Sequence, residues 1–138
     1  MLKRVINFCI VLWLATLATS LVHAKELPTA PIYKSEAILV PTGITVEEVK
    51  KAVRKAMFNK DWQILDVEPG HLQGKFRKLD KKGEKYNITV SVKYDAKAVS
   101  ISYKDSVGLN YNDGLIHHTY GARVKDLEKA IRAELGAF

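Results

Sequence analysis

From Lys85 to Tyr94 apolar and polar side chains alternate without a break. Tyr86, Ile88, Val90, Val92 and Tyr94 fall on one set of positions, and Lys85, Asn87, Thr89, Ser91 and Lys93 on the other. Successive strand residues point to opposite faces, so this run reads as a strand with one dry and one wet side. Three further runs behave alike. Trp62 to Glu68 is closed by Pro69-Gly70. In His71 to Leu79, residues Leu72, Gly74 and Phe76 alternate with Gln73, Lys75 and Arg77. Val99, Ile101 and Tyr103 alternate with Ser100, Ser102 and Lys104. Short turns at 80–83 and 95–97 separate the last three runs, and a sheet with a single dry face is antiparallel.

Two amphipathic helices flank these strands. Thr45 and Glu48 have the spacing of a capping box, and Ile44 with Val49 that of a hydrophobic staple. Val49, Ala52, Val53, Ala56 and Met57 recur at three and four residues, with Lys50, Lys51, Arg54 and Lys55 on the other side and Asn59 as the stop. The second helix spans Thr119 to Leu135, with Tyr120, Val124, Leu127, Ile131 and Leu135 as its stripe and Gly136 at its end. Both stripes are buried at least cost on the one dry face. The expected fold is therefore α+β: a four-stranded antiparallel sheet with two helices packed on one face, in the order α-β-β-β-β-α, forming a single domain over 44–138. Residues 25–43, with Pro28, Pro31 and Pro41, read as an extended arm whose Ile32, Tyr33, Ile38 and Leu39 lie along the domain or add a short edge strand. The wet face then carries Gln73, Lys75, Arg77, Lys85, Asn87, Thr89, Ser91, Lys93, Ser100, Ser102 and Lys104, and no acid.

Ahead of the arm, Lys3 and Arg4 precede an almost wholly apolar or small stretch that ends at Val22-His23-Ala24. Charged head, apolar middle and small-residue end are the layout of a secretory signal peptide, with cleavage expected after Ala24. An uncleaved membrane anchor is the alternative, which Asn7, Thr16, Thr19 and Ser20 weaken. Cys9, the single cysteine, lies at the start of the apolar stretch and leaves with the leader, so no disulfide holds the processed chain. The whole chain has 22 Lys+Arg against 15 Asp+Glu, a formal charge of +7. Losing Lys3 and Arg4 leaves 20 against 15, or +5. That surplus suits anionic phospholipid, lipopolysaccharide or wall polymer, or simply keeps the chain in solution. Export argues against nucleic acid as a partner. Membrane contact is expected only through the leader, if that is retained.

Chemistry-bearing residues gather between Tyr103 and Tyr120, where Asp105, Ser106, Asp113, His117 and His118 lie between a strand and a helix. Three readings arise. Ser106 with His117 and Asp105 or Asp113 has the residue types of a hydrolytic triad, without a Gly-x-Ser-x-Gly turn. A metal site would draw on His117, His118, His71 and Asp105, but adjacent histidines in a strand point apart and no helical His pair is present. The favoured reading is a clasp: Asp105 and Ser106 end the strand, His117 bridges the loop to the last helix, and Tyr103, Tyr111 and Tyr120 place rings in the core and hydroxyls in the cluster.

Around these residues the chain resembles a family of small exported proteins and lipoproteins of Gram-negative bacteria, of uncharacterised function. Tyr103-x-Asp105-Ser106-x-x-Leu109-x-Tyr111, then Ile116-His117-x-x-Tyr120 and a closing amphipathic helix, carry the likeness, with Ile32-Tyr33 and Trp62 in support. Members with a lipid anchor have a cysteine at the cleavage site, which this chain lacks, and Gly121-Ala122-Arg123 stands where many show a Trp-containing stretch. The resemblance names no activity. The expectation is a periplasmic, non-enzymatic interaction module without metal or cofactor, binding an envelope protein or an anionic envelope component. Its candidate contact residues are Lys75, Arg77, Lys85, Lys93, Lys104, Asp105, Ser106, His117 and Tyr120. A small hydrolase centred on His117 and Ser106, or a structural subunit of an envelope complex, are the alternatives.

Overall fold

A computed structural model describes residues 28–137. The expected leader at 1–24, and the expected cleavage after Ala24, lie outside the described residues. Two short strands from the arm come first, β1 (Thr29–Pro31) and β2 (Ile38–Leu39). Helix α1 (Val46–Asn59) follows, then β3 (Trp62–Glu68), β4 (His71–Asp80), β5 (Gly83–Tyr94) and β6 (Ala98–Val107), and finally β7 (Leu115–His117) and α2 (Thr119–Leu135). The main sheet is antiparallel, in the order β2-β6-β5-β4-β3, and β1 pairs with β7 in a separate antiparallel ribbon.

The fold is α+β with two helices, but the main sheet has five strands rather than the expected four, and strands precede the first helix. The extra strand is β2, where Ile38 stands opposite Val99 and is fully buried. Two residues are too few to display a period, and their partners lie some sixty positions away. The expected loop at 106–118 is also shorter than read. Strand β6 runs on to Val107, and β7 occupies 115–117.

The capping box is formed. Thr45 N–H donates to Glu48 Oε2 at 2.8 Å and Glu48 N–H to Thr45 Oγ1 at 3.3 Å. Each bond satisfies a donor that the first helical turn leaves free. Helix α1 buries Val49, Val53, Ala56 and Met57, while α2 buries Tyr120, Val124, Leu127, Ile131 and Leu135. Both stripes join one cluster with Leu72, Phe76, Ile88, Val90, Val92 and Ile101, the dry positions of β4, β5 and β6. Each fully buried aliphatic side chain contributes about 1.5–3 kcal/mol. Gly74 is required for this approach: a Cβ there would run into the end of Met57 and lie 3.2 Å from Trp62. Lys55–Glu134 (3.0 Å) and Lys60–Asp126 (3.2 Å) tie the α1 side to α2. Arg123 sits 4.6 Å over the Phe76 ring and donates to the Tyr86 hydroxyl at 3.3 Å, fixing α2 to the sheet.

Candidate functional site

Three register shifts decide what the wet face presents, the first leaving Val67 of β3 unpaired and setting Glu68 opposite His71. Between β4 and β5 the register shifts, so that Tyr86 stands opposite Lys78 but Glu84 opposite Leu79, leaving Lys85 as the inserted residue. Between β5 and β6, Tyr103 stands opposite Val90 but Asp105 opposite Thr89, leaving Lys104 inserted. One extra residue reverses which face the rest of the strand shows. Lys85 and Lys104 are thus left without partners in the ladder, and Glu84 and Asp105 take wet-face places. The face is not acid-free.

Glu84 accepts from Arg77 Nε at 2.6 Å and from Asn87 Nδ2 at 2.5 Å. The Asn87 bond first and the Arg77 bond second hold its carboxyl below the usual carboxylate range. His71 Nε2 lies 2.5 Å from Ser91 Oγ, and His71 Nδ1 lies 3.7 Å from a Glu68 carboxylate oxygen. By register, Lys75, Arg77 and Lys93 share this face with Glu68, Glu84 and Asp105, so bases and acids balance. Leu65, Leu79 and Val107, all exposed, interrupt the polar surface.

The arm crosses the opposite side of the molecule. Tyr33 packs against Gly121 of α2, and Lys125 Nζ sits 4.8 Å over its ring. Tyr33 Oη donates to Glu128 Oε2 at 2.8 Å, and Ser35 Oγ donates to Glu128 Oε1. The Glu128 bond, then burial, pushes the Tyr33 phenol above its usual range. Glu128 is buried, one of only two polar residues so placed among the described residues, the other being Asn87. Sequence reasoning missed it. The signal was available, because Glu128 follows Val124 by four and precedes Ile131 by three, inside the apolar stripe. A groove of about 380 Å³ between arm and helix is lined by Pro31, Tyr33, Ile116, His117, Gly121 and Lys125 among others.

At the other cluster, the β6 bulge puts Tyr103 and Ser106 on the same side of the strand, and their hydroxyls meet at 3.0 Å. Tyr103 stacks on Tyr111 at 4.6 Å between centroids and meets Tyr120 edge-on at 5.5 Å. His117 N–H donates to the Leu109 carbonyl at 2.9 Å, and Thr119 N–H donates to His117 Nδ1 at 3.2 Å. His118, at the N-cap position, has helical backbone and makes no side-chain cap. The His117 ring supplies the missing acceptor for the start of α2. That bond needs the neutral imidazole. Burial first, then His118 and Lys85, hold its pKa below the usual range. Burial, with Tyr103 and Glu128 adding to it, drives the Tyr120 phenol well above its ordinary value.

The clasp is formed in part: His117 bridges the loop to α2 and Tyr120 is buried, but Asp105 and Ser106 lie inside β6, which runs on to Val107, and Tyr111 is exposed. Asp105 lies across from Thr89 on the wet face and Ser106 across from Ile88 on the dry face. Ser106 and His117 have separate partners and share no hydrogen bond among the described residues. His71 sits on the wet face with Ser91, apart from the loop histidines. One expectation is corrected in detail: His117 and His118 do not point apart, their rings lying 4.1 Å from each other, because His118 has already left the strand for helical backbone. Among the described residues no group of three His, Cys, Asp or Glu is placed to hold a metal ion, and no helix is long and apolar enough to cross a membrane. Comparison with protein-family models and with curated proteins finds no match for this chain.

Proposed function

We propose that this chain is an exported, non-enzymatic interaction module of the bacterial envelope, released into the periplasm by removal of residues 1–24, and that its open sheet face meets a protein. The observation behind this reading is the open face itself. Strands β4, β5 and β6, of ten, twelve and ten residues, show one side to solvent, while both helices and the arm lie against the other. Balanced charges with Leu65 and Val107 among hydroxyls and amides suit the mixed polar and apolar surface of a protein partner better than a field of phosphates. The sequence pattern from Tyr103 to Tyr120 is consistent with the exported Gram-negative family, and it serves here to hold α2 in place.

Photo-crosslinking tests the reading. A photoreactive amino acid at Ser102, on the open face, should give one discrete adduct in the periplasmic or envelope fraction. The same probe at Lys51, on the solvent side of α1, should give none. Equal labelling from both positions, or no adduct from Ser102, defeats the proposal.

A further inference from the structure

The β4–β5 ribbon outruns the rest of the sheet. Strand β3 begins at Trp62, opposite Phe76, and β6 ends at Val107, opposite Asn87. Beyond those rungs the pairs Lys78–Tyr86, Leu79–Glu84 and Asp80–Gly83 have no neighbouring strand on either side. Every residue from Arg77 to Lys85 is exposed. Asp80 Oδ1 accepts the Lys82 N–H at 2.7 Å and shapes the turn, and Gly83 closes it at φ 113°, a backbone region that side-chain-bearing residues rarely enter.

The charge of this tip is lopsided. It holds five bases, Arg77, Lys78, Lys81, Lys82 and Lys85, and two acids, Asp80 and Glu84. Both acids are occupied within the ribbon, Glu84 by Arg77 and Asn87, Asp80 by the turn. Among the described residues no carboxylate forms an ion pair with any of the four lysines. Between Lys78 and Asp80 stands Leu79, 63% exposed. An isolated apolar side chain at the convex end of a ribbon cannot bury much area against a rigid partner, since a stable protein interface needs roughly 1,200 Å² or more. A bilayer deforms around such a tip. Its acyl region takes the leucine, and its headgroup phosphates meet the lysines, each about as favourable as other basic residues held near an anionic membrane surface.

We infer that the projecting tip of the β4–β5 ribbon docks this protein onto a bilayer rich in anionic phospholipid, with Leu79 entering the interface and Lys78, Lys81 and Lys82 meeting phosphates. The tip is the far end of the same ribbon, with Leu79 on its open side, and the two assignments are read by separate measurements.

The test uses the protein as isolated from cells that express it, with whatever N-terminus those cells leave. Vesicles of phosphatidylcholine alone are compared with vesicles containing about 30 mol% phosphatidylglycerol, by co-sedimentation at two salt concentrations. The wild type should partition at least about tenfold better onto the anionic vesicles, less so at high salt. Lys78→Glu/Lys81→Glu/Lys82→Glu should lose about tenfold or more of that gain, and Leu79→Ser several-fold with the salt dependence kept. A charge-matched control, Lys50→Glu/Lys51→Glu/Lys129→Glu, should lose less than about threefold. Equal retention on both vesicle types, or a control that falls as far as the tip variant, overturns the inference. So does a tip variant that keeps vesicle binding but loses an acidic protein from the envelope extract. The Ser102 crosslink, read on the same variants, reports separately on the sheet face.

Discussion

The base and the tip of the β4–β5 ribbon are built from the same hairpin and behave as two different materials. At the base, Leu72, Ile88, Val90 and Val92 are fully buried, flanked by β3 and β6 and roofed by both helices. At the tip, the same two strands continue with no neighbouring strand, and the residues from Arg77 to Lys85 are exposed. Hydrogen bonding between the strands is shared by both ends, so pairing does not separate them. Neighbours do. The base contributes stability through packing, and the tip is left free to carry charge.

The widest gap should appear on truncation. Ile88→Ala should destabilise by about 2–5 kcal/mol, because it removes buried methyl groups and leaves a cavity between sheet and helices. Leu79→Ala should stay within about 0.5 kcal/mol. Urea denaturation of both variants measures the contrast, and similar losses would abolish it. A smaller effect of opposite steric sense is expected at Gly74, where Gly74→Ala crowds Met57 and Trp62 and should cost about 1–3 kcal/mol. Differential scanning calorimetry would show it as a lowered Tm. If Tm is unchanged, α1 sits less tightly on the base than its geometry implies.

Glu128→Gln probes a third kind of attachment, a single buried side chain holding an otherwise marginal segment. The amide keeps one acceptor but loses the charge that both hydroxyls share, a loss of about 1 kcal/mol. Hydrogen exchange should quicken over residues 29–39 while that of β5 stays unchanged. The smallest effect links tip and clasp. His117 titrates below its ordinary value of 6.5, and Lys85 is the third of the causes, after burial and His118. Lys85→Met should move the NMR titration of His117 upward, though not back to the ordinary value. Because the folded pKa is depressed, the unfolded chain binds the proton first as pH falls. Stability is therefore lost from the ordinary value down through the lowered one, and is steady below it. His117→Asn should flatten the pH dependence of Tm across that window.

What could be read in advance follows the range of the forces involved. The α1 capping box and both helical stripes are local, so Thr45, Glu48 and the spacing from Tyr120 to Leu135 were legible. The four long strands were legible for the same reason, since alternation is a property of a strand by itself. The bulges at Lys85 and Lys104 were not. They arise where a strand must keep pace with a neighbour, and they brought Glu84 and Asp105 onto a face expected to hold no acid. Strands β2 and β7, of two and three residues, carry too little pattern to be seen without their partners. Glu128 was legible and overlooked: a carboxylate inside an apolar stripe demands donors, and the hydroxyls of Tyr33 and Ser35 were waiting 95 and 93 residues away.

Those separations bear on the order in which the molecule can be assembled. The arm precedes every one of its anchors in the chain: β6 for β2, β7 for β1, and Glu128 for Tyr33 and Ser35. The chain must extend through β6, β7 and α2 before the arm finds all its partners. Until then the groove beside α2 and the outer margin of β6 lie bare, and a chain that stalls short of its final helix cannot hide them. Seating of the arm thus reports that β6, β7 and α2 are in place, and a chaperone or protease that grips this segment would be reading whether the domain has closed.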